Sequence, residues 1–418
     1  QVRHLSGLYT AGIVSGVALT FYFFSNMIMD PDISSYIQRL CRSGLAVDEA
    51  ILWAAPGQGQ PRWNRRHPVC TRLDPLLEKP GFGAVVYARP AEPYAGIFDY
   101  LARTAADGVI RPRDSETRVF LTDLPVADGP DSQRLGRALS DRKCLVIPGL
   151  GLLARGKDMA EACVCFSAAC FAGFVKFFAD SLQVSRTGNI GRDRIQTFEH
   201  ACTYLSPPAV FEGGLMRGPF ETEADARAAI IEAGRAVVGQ GLVDASFGNL
   251  SYRLGRRLYI TTSGSFLDDL NDSVAAVNLD TGEISGARPS SELPAHEQIA
   301  GETDFLAIVH GHPLFSVILS MDCHETDCPD PGDCHRLCPR PRQVCSVPVV
   351  SGETGGGPYG LSRTVPPAIK SHKAAIVYGH GVFSCAASDF NNALGRMVTI
   401  EQLCRKTYFE QIGIQIRP

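Results

Sequence analysis

The stretch AIVHGHPLF, residues 307–315, places two histidines one residue apart in an apolar run. A short run rich in Ile and Val and bounded by Gly and Pro is typical of a buried β-strand. Residues i and i+2 of a strand point to the same face, so His310 and His312 present both imidazoles in one direction. The stretch therefore predicts a strand that carries two candidate metal ligands, with a pair of ordinary core histidines as the alternative.

Two pairs of stretches repeat along the chain in the same order. AVVYARP at 84–90 aligns with AIVHGHP at 307–313, and KCLVIPGLGLLARG at 143–156 aligns with KAAIVYGHGVFSCA at 373–386, with offsets of 223 and 230 residues. Two matched landmarks at nearly equal offsets indicate an internal duplication. We therefore expect two copies of mixed α and β structure.

A helical pattern follows the second stretch of each copy, at 158–178 and at 389–412. Asp158 and Asp389 stand at the start of these patterns and suit helix N-caps. The chain between the copies, near 204–222, is rich in Pro and Gly and is predicted to be a linker. The predicted domains are residues 1–205 and residues 206–418.

Composition limits the class of protein. The chain has 418 residues, of which 45% are hydrophobic and 20% are charged, and its formal net charge is −4. These values are ordinary for a soluble globular protein and provide no broad basic field for nucleic acid or an anionic membrane. The uncharged stretch 12–29 contains too many polar residues for a good membrane span, so we expect a buried strand that runs into a helix. The scattered cysteines favour the reducing cytoplasm.

A third imidazole is available from His380 in YGHGVF, where the flanking glycines allow a tight turn. Three neutral imidazoles leave an open coordination position, which is the arrangement of a catalytic zinc or another divalent metal. In the first copy the matching positions hold other residues, namely Tyr87, Arg89 and Leu150. Folding alone therefore does not require the histidines, and only the second copy is predicted to bind the metal.

Three short blocks in the second copy join small hydroxyl residues to Gly or Asn: FGNLS at 247–251, TTSG at 261–264 and PSSE at 289–292. This composition forms nests of backbone amides and hydroxyls that bind a phosphate or a carboxylate. Glu292 is the carboxylate best placed to act as a general base beside the metal. The alternative is a helix N-terminal acid, because the residues that follow it look helical.

Five cysteines crowd into CHETDCPDPGDCHRLCPRPRQVC, residues 323–345, which we expect to be an insertion without a counterpart in the first copy. We predict a second zinc or an iron–sulfur cluster here, with Cys328, Cys334 and Cys338 among its ligands, although the spacings fit no standard knuckle. A surface loop of reduced thiols is the alternative. The glycine-rich stretch SGETGGGPYG, 351–360, is expected to close over a ligand through Tyr359 or to be a plain connector.

The ordered set GNLS, TTSG, PSSE, HGHP and GHG resembles the class II aldolase/adducin family over about 190 residues of the second copy. The resemblance implies an α/β protein with two tandem three-layer αβα lobes, each with a central, largely antiparallel sheet. It implies that His310, His312 and His380 are zinc ligands and that Glu292 is the catalytic acid/base. The residues implied to hold a phosphate or comparable anion are Gly248, Asn249, Thr262, Ser263, Gly264, Ser290 and Ser291.

The function implied by the resemblance is a zinc-dependent lyase that cleaves a carbon–carbon bond in a small anionic hydroxy-carbonyl compound, such as a sugar phosphate. A metal-dependent decarboxylase of a hydroxy-carboxylate is the close alternative, and dehydratase or epimerase chemistry is also open. An adducin-like scaffold without chemistry is the alternative from a different class of protein. Because the family forms four-fold assemblies, the fused chain is expected to form a homodimer that makes a pseudo-tetramer. The first lobe is expected to be a scaffold, with Arg89 as a candidate contributor to the pocket.

Overall fold

The structure is a computed structural model, and it describes residues 31–55, 61–206, 208, 210–243, 247–325, 327–328 and 332–413. The predicted strand and helix at 12–29 lie outside the described residues. The described chain forms two α/β lobes, each built on its own sheet.

The first lobe is made of short strands that alternate with helices. Its elements are α1 (Pro31–Arg42), β1 (Leu52–Ala55), β2 (Arg62–Trp63), α2 (Cys70–Leu77), β3 (Ala84–Ala88), α3 (Tyr94–Thr104), β4 (Val109–Ile110), α4 (Ser115–Leu121), β5 (Leu124–Pro125), α5 (Ser132–Ala138), β6 (Cys144–Ile147), β7 (Gly151–Gly156), α6 (Met159–Ser185) and α7 (Arg192–Thr203).

The sheet of the first lobe has the order β2-β1-β3-β7-β6, and all its strand pairs are antiparallel. Alternate residues of β3 point to opposite faces, as the period of a strand requires. Val85 and Tyr87 pack with α2 and α5, whereas Ala84 and Val86 pack in the core that contains α1, α3 and α6. The lobe therefore has three layers.

The second lobe repeats this plan with a larger sheet. Its elements are α8 (Glu223–Gly239), β8 (Asn249–Leu254), β9 (Arg257–Thr261), β10 (Val274–Asn278), β11 (Ile284–Ser285), α9 (Leu293–Glu302), β12 (Ala307–Gly311), α10 (Leu314–Ser320), β13 (Arg342–Val344), β14 (Val347–Val350), α11 (Leu361–His372), β15 (Ala374–Val377), β16 (Gly381–Ala386) and α12 (Phe390–Ile412).

The nine strands of the second sheet follow the order β11-β10-β9-β8-β12-β16-β15-β14-β13. Only the pair β14–β15 is parallel among the described residues. Helices α9 and α11 cover one face, and α8, α10 and α12 cover the other. This arrangement confirms the predicted α/β fold with a largely antiparallel central sheet between helical layers.

The two sheets share the strand order β2-β1-β3-β7-β6 and β9-β8-β12-β16-β15. Tyr87 pairs with Leu153 in the first sheet, and His310 pairs with Phe383 at the same register of the second. The turns after β6 and β15 both hold a glycine at positive φ, Gly149 and Gly379. These matches agree with the alignment on which the predicted duplication rests.

The cysteine-rich segment has a counterpart in the first lobe, contrary to the expectation that it is an insertion. Val126 bridges β6 in parallel, and Val349 bridges β15 in the same way. The chain from β3 to Val126 is as long as the chain from β12 to Val349. The extra residues of the second lobe follow β14, in the glycine-rich loop. The first lobe forms α4 in the segment that is equivalent to the cysteine-rich one.

Helix α6 is the one helix among the described residues that is long and apolar enough to cross a membrane by length and composition, and 94% of its most apolar window is buried inside the protein. Asp158 caps its N-terminus by accepting a hydrogen bond from the amide of Glu161. Asp389 caps α12 in the same way, through the amide of Asn391. Both predicted N-caps are therefore present.

Helices α6 and α12 join the lobes through one continuous core. The ring of Phe178 on α6 lies 5.7 Å from that of Tyr408 on α12 and 6.0 Å from that of Phe315 on α10. The Tyr408 hydroxyl donates a hydrogen bond of 2.9 Å to the carbonyl of Phe178. Burial of these large rings is worth several kcal/mol in aggregate, on the scale of about 2 kcal/mol for each side chain. The lobes consequently hold a fixed mutual orientation.

Candidate active site

The three predicted histidines meet at the edge of the second lobe that faces the first. His310 is the second-to-last residue of β12, His312 directly follows the strand, and His380 stands in the turn between β15 and β16. One ring nitrogen from each lies within 4.8 Å of the other two, and all three side chains are buried. The Nε2 atoms of His310 and His312 are 3.0 Å apart. The structure thus brings together nitrogens that are distant along the chain.

Glycine makes this convergence sterically feasible. A Cβ atom at Gly381 would lie 2.4 Å from the carbonyl oxygen of Gly311 and 2.8 Å from the ring of His310. Both distances are below ordinary van der Waals contact, so β16 can pass this close to the imidazoles only with glycine at this position. The GHG motif therefore has a packing reason in addition to its turn.

The site can hold a divalent metal by the chemistry of its donors. Nδ1 of His310 donates to the carbonyl of Val382 at 3.1 Å, which leaves the lone pair of Nε2 directed at the other imidazoles. Burial lowers the pKa of His310 to about 4, although Glu292 opposes this shift. Burial also lowers the pKa of His312. Neutral imidazoles are the form that binds zinc, so these residues fit such an ion.

Glu292 lies within this group and is 4% exposed. Its Oε2 atom is 3.2 Å from Nε2 of His310, and its Oε1 atom is 3.2 Å from Nε2 of His380. Burial opposes ionisation of Glu292, but the charges and hydrogen bonds of the two histidines, together with Asn249, outweigh it and lower its pKa. Although Glu292 precedes α9, its side chain makes no capping hydrogen bond. Glu292 therefore stands at the helix N-terminus, as the alternative expected, but its side-chain contacts are with the histidines and Asn249.

His380 differs electrostatically from the other two histidines. Burial lowers its pKa, but Glu116, Glu292 and Asp114 outweigh burial and raise the pKa to about 9. In the metal-free protein His380 therefore carries the proton that balances these carboxylates. A bound cation would balance the same negative charge.

A buried chain of hydrogen bonds positions Glu292 from behind. The Asn249 side-chain amide donates to Oε2 of Glu292 at 2.8 Å, and its oxygen accepts from Nε2 of His296 at 2.5 Å. Nδ1 of His296 then accepts from the Ser251 hydroxyl at 2.7 Å. Burial lowers the pKa of His296 to about 3, so this ring is neutral. Sequence reasoning missed His296, although its spacing of four residues from Glu292 on a helix was a usable signal.

All eleven predicted site residues line one cavity of about 220 Å³. The residues among them that were predicted to bind an anion are Gly248, Asn249, Thr262, Ser263, Gly264, Ser290 and Ser291. The amides of Thr262, Ser263 and Ser290 already donate to backbone carbonyls, so the expected nest of amides is smaller than predicted. The wall of the cavity in this region is formed instead by hydroxyl groups and by Gly264. Gly264 has φ +78°, and no atom lies near the position of a Cβ there.

The first lobe contributes directly to this cavity, which corrects the expectation that it is a scaffold only. Glu116 and Phe120 of α4 line the cavity together with Val164 of α6. Oε2 of Glu116 is 3.5 Å from Nε2 of His380. Burial raises the pKa of Glu116, although His380 opposes this shift. Sequence reasoning missed Glu116 because no motif marks it.

Helix α4 is fixed against the histidine turn by its first residue. The Ser115 amide donates to the carbonyl of Gly379 at 2.6 Å, and its hydroxyl donates to the same carbonyl at 2.9 Å. Phe120 meets the ring of Phe247 edge to face, 5.5 Å between centroids. Arg89, the residue expected to reach the pocket, instead pairs with Asp99 at 2.8 Å and does not line the cavity.

Among its described residues, the cysteine-rich segment does not bring three thiols as close together as a zinc site requires, so the second metal site stays a prediction. Sulfur ligands of a tetrahedral zinc lie about 4 Å apart, from bonds of about 2.3 Å. In the described part of the chain, only the three histidines form a group of three or more ligand atoms within 4.8 Å. Cys328, Cys334 and Cys338 therefore do not form such a group. The glycine-rich loop that follows β14 reaches the cavity through Thr354 and not through Tyr359.

Comparison with known proteins identifies the lobe that carries the site. Residues 228–408 match the family model described as the Class II Aldolase and Adducin N-terminal domain. The second lobe belongs to this family. The match spans the histidines, Glu292 and the hydroxyl-rich blocks of the aldolase-family lobe.

Curated relatives of the aldolase-family lobe are lyases by name. It is similar to a 5-methylthioribulose-1-phosphate/5-deoxyribulose-1-phosphate aldolase of Rhodospirillum rubrum, 41% identical over 96 residues, which are 22% of this chain and 43% of the relative. It is also similar to a methylthioribulose-1-phosphate dehydratase of Methylococcus capsulatus, 38% identical over 104 residues, 24% of this chain and 51% of the relative. The chain thus spans about half the length of the curated relatives it matches.

A solved structure of L-fuculose-1-phosphate aldolase from Thermus thermophilus is also similar. It is 27% identical, covers 46% of this chain and 96% of its own, and has a TM-score of 0.37.

Metal analysis tests the histidine group. We expect about one zinc or other divalent ion per chain, because three buried imidazoles with an open position suit one such ion. The variant His310→Ala/His312→Ala should lose the metal, measured by inductively coupled plasma mass spectrometry, with circular dichroism as the check on folding. The control Cys334→Ser/Cys338→Ser should keep it. Metal that follows the cysteines instead of the histidines would contradict this assignment.

Proposed function

We propose that the protein is a zinc-dependent lyase that acts on a small phosphorylated hydroxy-ketone. The observation that carries the proposal is the convergence of three buried imidazole nitrogens beside Glu292 in a cavity walled by hydroxyl groups. The cavity volume of about 220 Å³ lies below the range of about 300–1,000 Å³ for drug-sized ligands, which favours a small substrate.

His310, His312 and His380 would hold the metal, and Glu292 would move the proton. A divalent ion bound there supplies Lewis acidity toward a carbonyl oxygen. Glu292 is ionised and fixed by Asn249, so it can take a proton from substrate and return it. The serine and threonine hydroxyls of the wall would hold the phosphate as donors around a small anion.

Aldol cleavage and dehydration are the two candidate reactions. Aldol cleavage removes the proton of the β-hydroxyl, breaks the bond between the α- and β-carbons and returns a proton to the α-carbon. Dehydration removes a proton from the α-carbon and expels the β-hydroxyl as water, and one carboxylate beside an activated carbonyl can move the proton in either reaction. The relatives favour these two over decarboxylation, because the aldolase and the dehydratase above are both named for methylthioribulose 1-phosphate. The retained carboxylate and histidines argue against a scaffold without chemistry.

One substrate separates the two reactions by their products. Purified zinc-loaded protein should convert 5-methylthioribulose 1-phosphate or L-fuculose 1-phosphate, followed by mass spectrometry. Cleavage gives two smaller fragments, whereas dehydration gives one product lighter by a water. The variant Glu292→Gln should lower kcat about 100- to 10,000-fold, because it keeps the shape but cannot accept a proton. Equal activity of this variant, or no turnover of any phosphorylated ketose by the wild type, would contradict the proposal.

We also propose that Glu116 extends the site from the first lobe by contacting bound substrate. Its side chain lines the same cavity as the hydroxyl groups of the second lobe, and its Oε2 atom lies 3.5 Å from Nε2 of His380. Its backbone neighbour Ser115 is held by Gly379, so the carboxylate position does not depend on a flexible loop. The first lobe, proposed as residues 1–205, would then complete the site of the lobe formed by residues 206–418.

A kinetic comparison tests the role of Glu116. We expect Glu116→Gln to lower kcat/KM about tenfold or more while the zinc content stays unchanged, because the substitution removes the charge but keeps the volume. The matched control Glu199→Gln alters an exposed glutamate of the same lobe and should have no effect. If Glu116→Gln lowers only thermal stability, Glu116 has a structural role alone.

We further propose that two copies associate through the vacant counterpart of the α4 contact. Helix α4 of the first lobe covers the turn of the second lobe that holds His380. The equivalent turn of the first lobe, 148–150, is exposed, and Leu150 has a relative exposure of 45%. By the same alignment the segment equivalent to α4 is 338–344 in the second lobe, and Leu337 beside it is 55% exposed. Each chain therefore has one donor and one acceptor surface, and two chains can exchange both contacts in a closed dimer.

Light scattering with size-exclusion chromatography tests this association. The wild type should be a dimer, and Leu150→Arg should shift it toward the monomer, because a buried unpaired charge opposes docking. The control Ile284→Arg places the same charge at an exposed position on β11, at the other edge of the nine-stranded sheet, and should remain dimeric. A monomeric wild type, or equal dissociation of both variants, would refute the surface.

A further inference from the structure

Two thiols outside the active site lie against each other at the far edge of the second sheet. Cys345 occupies the two-residue turn between β13 and β14, and Cys404 lies on α12. Cys345 is partly exposed, whereas Cys404 is fully buried. The thiol of Cys404 is within hydrogen-bonding distance of Cys345, whose sulfur also lies 3.3 Å from the hydroxyl of Thr407. The pair therefore combines an accessible sulfur with a protected neighbour.

The turn itself does not explain a cysteine at this position. Cys345 has φ +49° and Ser346 has φ +65°, so both central residues are in the left-handed region. Turns of this kind favour Asn-Gly or Asp-Gly, because other residues pay a steric cost there. The turn directs the Cys345 side chain toward α12, where Cys404 and Thr407 are one helical turn apart. The local strain thus coincides with a specific contact between sulfur atoms.

The surroundings stabilise the thiolate form of Cys345. The hydrogen bond from Cys404 lowers the pKa of Cys345, burial opposes this shift, and the hydroxyl of Thr407 lowers it further. Glu410 raises it, and the balance is a pKa of about 6. Elsewhere in the cysteine-rich segment, burial raises the pKa of Cys334. Cys345 is therefore distinct from its neighbours in sequence.

We propose that Cys345 is a modification site that reacts with hydroperoxides and that Cys404 resolves the product as an intramolecular disulfide. The Cys345 thiolate attacks the O–O bond of the peroxide, which forms an S–O bond and releases water or an alcohol after protonation. Sulfur loses two electrons and the peroxide gains them. The Cys404 sulfur then attacks the sulfenic sulfur, its proton leaves with the hydroxyl as a second water, and the S–S bond forms.

This site is independent of the proposed lyase activity, because neither cysteine lines the histidine cavity. Cys345 and Cys404 are not joined by a disulfide in the structure, so the pair starts in its reduced form. A thiol reductant would restore that form by exchange.

Tryptic mapping gives a direct test, because each cysteine of this pair falls in a tryptic peptide that holds no other cysteine. Residues 343–363 hold Cys345, and residues 397–405 hold Cys404. Reduced protein treated with hydrogen peroxide and then blocked with iodoacetamide should yield the two peptides joined by a disulfide. Dithiothreitol should separate them. A Cys345 peptide linked mainly to another segment, or oxidised no faster than the peptides of Cys323 and Cys338, would overturn the proposal.

Variants distinguish reaction from folding. Cys345→Ser changes a turn residue and should leave Cys404 unoxidised, because the buried thiol then has no sulfenic partner. Cys404→Ser keeps a hydroxyl donor and should trap sulfenic acid at Cys345, detected with a dimedone probe. At pH 6, iodoacetamide should alkylate Cys345 about tenfold faster than Cys338, since thiolate fraction rises more than nucleophilicity falls. Equal rates would overturn the proposal even if Cys404→Ser fails to fold.

Discussion

Charge balance in a buried cavity is the constraint on which the rest of this structure depends. Three imidazoles and the carboxylate of Glu292 are buried, where an uncompensated charge is costly, and the partly exposed carboxylate of Glu116 lies beside them. Short contacts join Glu292 to His310 and His380, and burial lowers the pKa of His310 and His312. His380 is protonated because three acids surround it, and His312 is neutral because burial prevails there.

The backbone around the cavity follows from the same constraint. The side chain of Glu292 makes no capping hydrogen bond to α9, because its oxygens contact Asn249 and the histidines. Gly381 lacks a side chain because β16 runs beneath the imidazoles. The hydrogen bonds from Ser251 through His296 fix the orientation of Asn249, so the carboxylate is held on two sides. Contacts at the cavity, and not local structural preference, therefore explain the residues at these positions.

Both lobes line the candidate cavity, because Glu116 and Phe120 of α4 and Val164 of α6 meet the residues of the second lobe there. The first lobe has Tyr87 and Leu150 where the second has histidines, but it places α4 against the histidine turn of the second. A shared core of α6 and α12 keeps the lobes in register for this contact. The helix α4 thus supplies part of the wall around His380.

The amino-acid sequence determined the architecture of the second lobe and the residues of its cavity. Strand periodicity, the HGHP and GHG motifs and the N-cap aspartates act over a few residues, and all eleven motif residues line one cavity. The sequence could not reveal Glu116 or His296, because their roles arise from contacts between segments that no local pattern connects. The density of cysteines suggested a shared ion, whereas the fold pairs Cys345 with Cys404 on α12. Side-chain chemistry is encoded locally, but which groups share a desolvated space is decided by packing of the whole chain.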